Sequence, residues 1–283
     1  MASRGRPFVC IDVMLDQLRV IEVRDGQITA FFVRTLPVGS LRSGDPVDPQ
    51  VIGAELQQAM RATGMEAVDA RLALPDEATV GKIVELPRMP DRHLRKAVGF
   101  AVERELPFPP DRAAWSWEIV AREQTTISVY LVAAWRDIVD RIAEVAISAG
   151  LRPTVVEPRA LSIARAIGLP RVTLLEATGS QLHLTQVLPT QAAHVESSVC
   201  PADRVDAEAA VERMLQRSSR RQLGVNDLET SPVVLAGDLE DAGLQLSVAV
   251  APVSTVLNGH PPHRPPAMDG GYYLASLGLA MRN

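Results

Sequence analysis

Three apolar runs open the chain, Phe8–Val13, Leu18–Val23 and Gln27–Val33, and they read as consecutive strands. Between the last two, Arg24-Asp25-Gly26 supplies the positive φ angles of a tight hairpin turn. Asp48-Pro49 then signals a helix start, an N-cap followed by proline in the first turn. Ile52, Leu56 and Ala59 share one face of that helix, and Gly64 stops it. Val68–Leu74 reads as a buried strand and Lys82–Leu86 as an alternating one. Asp91 is placed as the cap of a helix whose Leu94, Ala97, Val98, Ala101 and Val102 form one stripe. Pro107 ends it, and Pro109-Pro110 force an extended connection. Ala114–Val120 and Ile127–Ala133 pair as antiparallel strands, and Arg136–Ala149 is a helix ending at Gly150.

Thr154–Glu157 is a short strand, and Ala160–Ile167 a helix closed by Gly168. A second hairpin-led round begins at Arg171, with a strand to Ala177, a turn at Thr178-Gly179-Ser180 and a strand Leu182–Leu188. A helix near Ala207–Arg217, strands Val233–Ala236 and Ser247–Ala251 and a helix Tyr272–Met281 follow; Asn258–Pro266 reads as an exposed, proline-rich loop. The alternation predicts α/β architecture in two domains of similar element order, without a sequence repeat.

Composition narrows the function classes. The 283 residues are 47% hydrophobic with a net charge of −5, enough for two packed domains and without a basic face for nucleic acid. Cys10 and Cys200 form no disulfide framework, and Cys10 sits in an apolar run as a small hydrophobe. No run approaches membrane-span length, and the N-terminus is too short and polar for a signal peptide. The expected location is the cytoplasm, with indirect membrane contact.

Several signposts from Leu86 onward occur in gapless succession. They are Leu86-Pro87, Glu103 four residues before Pro107-Phe108-Pro109, then Leu131-Val132-Ala133-Ala134 and Ala149-Gly150-Leu151-Arg152-Pro153. The closing Leu274–Arg282 adds to them. This order resembles the PilM family, actin-like cytoplasmic proteins of type IV pilus assembly. The resemblance implies an actin-like fold of two RNase H-like domains facing a nucleotide cleft. Domain 1 is expected at 1–74 and 151–168, with an inserted partner-binding subdomain at 75–150. Domain 2 is expected at 169–283, with its outer subdomain reduced to about one strand and one helix within 189–231. The family's partner is the N-terminal tail of PilN, a membrane protein, held in a groove beside the inserted subdomain. Contacts with pilus motor ATPases are also attributed to the family. Leu86, Met89, Phe100, Glu103, Arg104 and Phe108 are the residues expected beside that groove, although core packing and salt bridging compete for each.

The nucleotide positions depart from the family pattern. A first turn usually written Asp-Ile-Gly-Ser is here Asp12-Val13-Met14-Leu15-Asp16, with Arg19 near the usual Lys. The second, usually Asp-Ile-Gly-Ala, is Glu176-Ala177-Thr178-Gly179-Ser180; Gly179 and Ser180 suit a shifted anion cradle or an ordinary turn. Of the Ala-Gly-Gly-Gly adenine motif, Ala236-Gly237-Asp238-Leu239 keeps Gly237 alone. The expectation is a pseudo-ATPase scaffold with at most weak ATP/Mg binding and no catalytic or metal residues. Two rivals stay open: an ATPase using Asp12 and Glu176 as metal-linked carboxylates, and the cytoplasmic actin-like part of a type II secretion protein. His260 and His263 lack the companions of a metal site, and Glu105 is expected to be solvated.

Overall fold

The computed structural model describes residues 6–14, 16–42, 44–169, 172–178, 181–188, 191–221, 232–239, 244–246, 250–252, 268 and 273–282. Strands β1 (Phe8–Met14), β2 (Gln17–Arg24) and β3 (Gln27–Thr35) form an antiparallel meander. Its second turn holds Asp25 at φ 50°, as the Asp-Gly pair requires. A small ribbon, β4 (Leu41–Arg42) with β5 (Asp45–Pro46), leads to helix α1 (Pro49–Ala62). Asp48 caps that helix, accepting from the amides of Gln50 and Val51. Strand β6 (Asp69–Leu74) then pairs parallel to β1.

The insertion follows: β7 (Thr79–Pro87), α2 (Asp91–Glu105), β8 (Ala113–Arg122) and β9 (Thr126–Trp135). The α2 stripe of Leu94, Val98, Ala101 and Val102 packs on Ile127, Val129 and Leu131, closing a core of its own. Asp91 is not the cap of α2. Pro90 holds that position without a side-chain bond, and Asp91, the first helical residue, pairs with Arg122 at 2.8 Å. Helix α3 (Arg136–Ser148) buries Ile142, Val145 and Ala146 with Ile52 and Leu56 of α1. By packing, therefore, the insertion ends at Trp135, and α3 belongs to domain 1 rather than to a 75–150 unit.

Strand β10 (Arg152–Pro158) completes the first sheet, in the order β10-β6-β1-β2-β3, and runs straight into α4 (Arg159–Ile167). The second round comprises β11 (Val172–Thr178), β12 (Gln181–Leu188), β13 (Gln191–Val199), α5 (Arg204–Arg221), β14 (Val233–Gly237), β15 (Val250–Pro252) and α6 (Leu274–Ala280). One strand and one helix thus stand between β12 and β14 among the described residues. The second sheet has eight strands in the order β15-β14-β11-β12-β13-β7-β9-β8. Gln191 pairs with Lys82, so β13 joins the insertion's sheet to that of domain 2.

Helices α4 and α6 cross between the two sheets in one shared core with Cys10, Ile21, Leu174 and Val234. Cys10 is fully buried there, and burial raises its thiol pKa. The crossing is close: a Cβ on Gly278 would lie 1.7 Å from the Ser162 carbonyl oxygen. Glu157 ties the same junction, accepting from Ser162 at 2.6 Å and pairing with Arg165 and Arg282. Burial alone would raise the Glu157 pKa, but Arg165, Ser162 and Arg282 hold it below the ordinary value.

Candidate functional site

Strand alternation decides which side chains meet between the sheets. Along β1, Val9, Ile11 and Val13 pack toward α1 and α3, which turns Cys10 and Asp12 toward α4. Along β11, Leu175 and Ala177 pack on α5, which turns Leu174 and Glu176 inward from the other half. The hairpin partners stand directly opposite in register, Arg19 across from Asp12 and His183 across from Glu176. Two acidic groups, one from each half, therefore converge.

Arg159, the first residue of α4, enters between them. Its Nε lies 3.2 Å from both Asp12 carboxylate oxygens, and its Nη2 donates to Glu176 Oε1 at 2.8 Å. Its Nη1 stands 2.7 Å from Glu176 Oε2, close enough for ion pairing although poorly aligned as a hydrogen bond. Arg19 Nη1 donates to Glu176 Oε1 at 3.3 Å. All four residues are 1% exposed. Burial would weaken the charge of Arg159, but Asp12 and Glu176 outweigh it and raise its pKa. Burial likewise works against ionised Glu176, yet Arg159 and then Arg19 bring its pKa down to about 2. His183, lowered to about 3 by burial and by Arg159, is neutral at physiological pH. Asp76 lies beside them, accepting from the Ala160 amide at 2.8 Å, and burial pushes its pKa up to about 7.

This donor set does not fit a magnesium nucleotide. The metal needs oxygen ligands and the phosphates need cations or amides. Here both carboxylates are bound by arginine, and both arginines contact carboxylates. At the first turn Met14 pairs with Gln17 and is itself buried. Asp16 adopts φ 55° and accepts from Gln181 Nε2 at 3.3 Å. Gly237 has its own reason to be glycine: φ is 62°, and a Cβ would stand 2.4 Å from the Ala177 carbonyl oxygen. Its presence is a demand of strand approach, not a mark of a ligand. Gly179 and Ser180 lie outside the described residues, as do Leu15, His260, His263 and the Asn258–Pro266 loop. Among the described residues no group of three or more His, Cys, Asp or Glu is placed to hold a metal.

A second site lies on the face of β8 and β9 turned away from α2. Ile127, Val129 and Leu131 face α2, so the alternate residues Ser116, Glu118, Tyr130, Val132 and Ala134 line a groove against β10. Its apolar end, about 150 Å³, reaches Leu74, Trp115 and Val139. Its polar end, about 340 Å³, reaches Glu157, Arg165 and Arg282, and the two ends share Ser116, Val132, Val156 and Pro158. Burial raises the Tyr130 pKa to about 12.

The six residues expected to hold a partner stand elsewhere. Leu86 and Phe108 are buried in the insertion's core, where Phe108 meets the Trp135 ring at 4.9 Å, and Met89 packs against the same core. Glu103 and Arg104 are exposed on α2, and Phe100 is 60% exposed beside Lys96. None of the six is among the residues lining the groove. Glu105 is not simply solvated: hydrogen bonds from Lys82 and then Arg104 lower its pKa.

Arg159 escaped the reading of the sequence, though a signal was present. An arginine opening a helix opposes the helix dipole, so its placement needs another cause. The groove's β8 and β9 residues carried no local signal, because their role depends on β10 arriving from elsewhere in the chain.

The sequence model of the family described as type IV pilus assembly protein PilM matches residues 11–191. Among solved structures, a PilM-PilN type IV pilus biogenesis complex aligns with TM-score 0.71 at 19% identity, covering 96% of this chain and 97% of that one. The cytoplasmic domain of EpsL, an inner membrane component of the type II secretion system of Vibrio cholerae, aligns with TM-score 0.54 at 12% identity, over 98% and 96% of the chains. The ethanolamine utilization protein EutJ from Carboxydothermus hydrogenoformans gives 0.52 at 12% identity, over 98% and 90%. At such identities these structures establish the shared actin-like fold. No curated protein matches the chain.

Proposed function

The chain belongs to the PilM family of type IV pilus assembly proteins, and we propose that it is a non-hydrolysing scaffold holding the N-terminal tail of a PilN-like inner-membrane protein. The observation that carries the reading is the groove between β8/β9 and β10. Strand β10 ends the first sheet, so it offers an edge along which an extended peptide can pair. The Leu74, Trp115 and Val139 end suits an apolar anchor, and the Glu157, Arg165 and Arg282 end suits polar and charged groups. No helix among the described residues is long and apolar enough to cross a membrane, and recruitment through such a tail supplies the membrane link.

Titration with a synthetic tail peptide of the PilN-like protein tests this. Saturable binding that Val132→Arg abolishes is the expected result; a folded protein that takes no such tail refutes the proposal. The pairing of Asp12 and Glu176 with Arg159 supports the non-hydrolysing half of this reading. Calorimetry with ATP and Mg is expected to show no binding, and a micromolar affinity lost on Asp12→Ala would overturn that half of the reading.

A further inference from the structure

We propose that Arg159 is the resident ligand of the inter-domain cleft, an internal guanidinium that keeps the two halves closed without nucleotide or metal. Its two partners come from different halves. Asp12 is carried by β1 of the first sheet, and Glu176 by β11 of the second. One guanidinium reaches both, at 3.2 Å and at 2.7 to 2.8 Å, and Arg19 of the first sheet also crosses to Glu176 at 3.3 Å. The cleft is therefore cross-linked by charge-assisted contacts within the shared core, where water does not compete for them.

Two features show a built position rather than a chance salt bridge. The start of α4 is unfavourable for a cation, and Pro158 caps it without a side-chain bond. Asp76, from a distant turn, accepts the Ala160 amide there and adds a carboxyl near Arg159. The charges also close on themselves. Asp12 and Glu176 face Arg159 and Arg19, so removing Arg159 leaves two buried carboxylates with one arginine. The residue before it, Pro158, lines both ends of the groove. Seating Arg159 thus fixes the cleft and one groove wall together.

This inference rests on the cleft being independent of nucleotide, and chemical rescue separates the two claims. Arg159→Ala is expected to lower the melting temperature by roughly 10 °C, the loss typical of an uncompensated buried pair. Low-millimolar methylguanidinium should restore much of that loss in the variant and leave the wild type unmoved. A variant as stable as wild type, or one that methylguanidinium leaves unchanged, refutes the resident-ligand role. If ATP with Mg raises the wild-type melting temperature, both claims fall. Absence of rescue together with absence of an ATP shift removes only the inference about Arg159. Should Arg159→Ala give no folded protein, Arg159→Met with Glu176→Gln removes one cation and one anion together. Hydrogen exchange at the start of α4 should then quicken by roughly tenfold or more as the halves loosen. Exchange unchanged from wild type would show that the cleft stays closed without the guanidinium.

Discussion

The cleft and the groove meet at Pro158, yet they are finished in opposite ways. In the cleft every formal charge on Asp12, Glu176, Arg19 and Arg159 has an internal counterpart, and the group is out of reach of water. In the groove a sheet edge and a mixed apolar and charged lining remain open along β10. A site that has satisfied itself adds rigidity, whereas an unsatisfied edge invites a partner. Substitutions in the cleft should therefore register first in stability, and substitutions in the groove first in binding.

The contrast breaks most completely where the halves cross. Gly278→Val places side-chain atoms inside the Ser162 backbone, so it should cost more than about 4 kcal/mol and give no cooperative melting transition. A folded Gly278→Val would mean that α4 and α6 do not cross this closely. Next is Glu176→Gln, which leaves Arg159 with Asp12 alone and is expected to cost roughly 3 kcal/mol in urea denaturation. A negligible loss would show that the pairing contributes little beyond its own desolvation. Val132→Arg in the half-buried groove should do the reverse. Stability should move by about 1 kcal/mol or less, while tail-peptide affinity falls roughly tenfold or more. Equal losses in both readouts would erase the distinction between the two regions.

Much of the scaffold was legible because it is local. Asp48-Pro49, Asp25-Gly26 and the α2 stripe each encode their own element, and parity along Phe8–Met14 already turned Asp12 away from the Val9, Ile11, Val13 face. Met14 in place of a turn glycine was legible too, and it supports the proposal that phosphate binding is lost. The arginine between the carboxylates was not. Arg159 is 147 residues from Asp12 in sequence, and only the crossing of α4 brings them together. The proposed groove was hidden for a related reason. Phe100 and Phe108 are aromatics on or beside α2, but α2 covers the face of β8 and β9 opposite the groove. Sequence parity separates two faces of a strand without saying which one a distant element will cover.

The pH dependence of stability is the most selective probe of the cleft. Asp76 has a folded-state midpoint near 7 against 3.8 for the free carboxyl, and it faces Arg159, Glu77 and Asp12. A raised midpoint means the fold holds a proton that the unfolded chain has released. That contribution is complete below about pH 4 and is lost as pH rises through 7. His183 acts in the opposite sense: its midpoint falls from 6.5 to about 3, so its contribution is lost as pH drops through that window. The two partly cancel in the wild-type stability profile, so the difference between Asp76→Asn and wild type is the informative quantity. Asparagine keeps an oxygen for the Ala160 amide but cannot ionise. The variant should gain on the order of 2 kcal/mol over wild type at about pH 8, with the gap shrinking toward about pH 5. A gap that stays constant across that range would mean Asp76 keeps its charge beside Arg159, and that the cleft holds three ionised carboxylates rather than two.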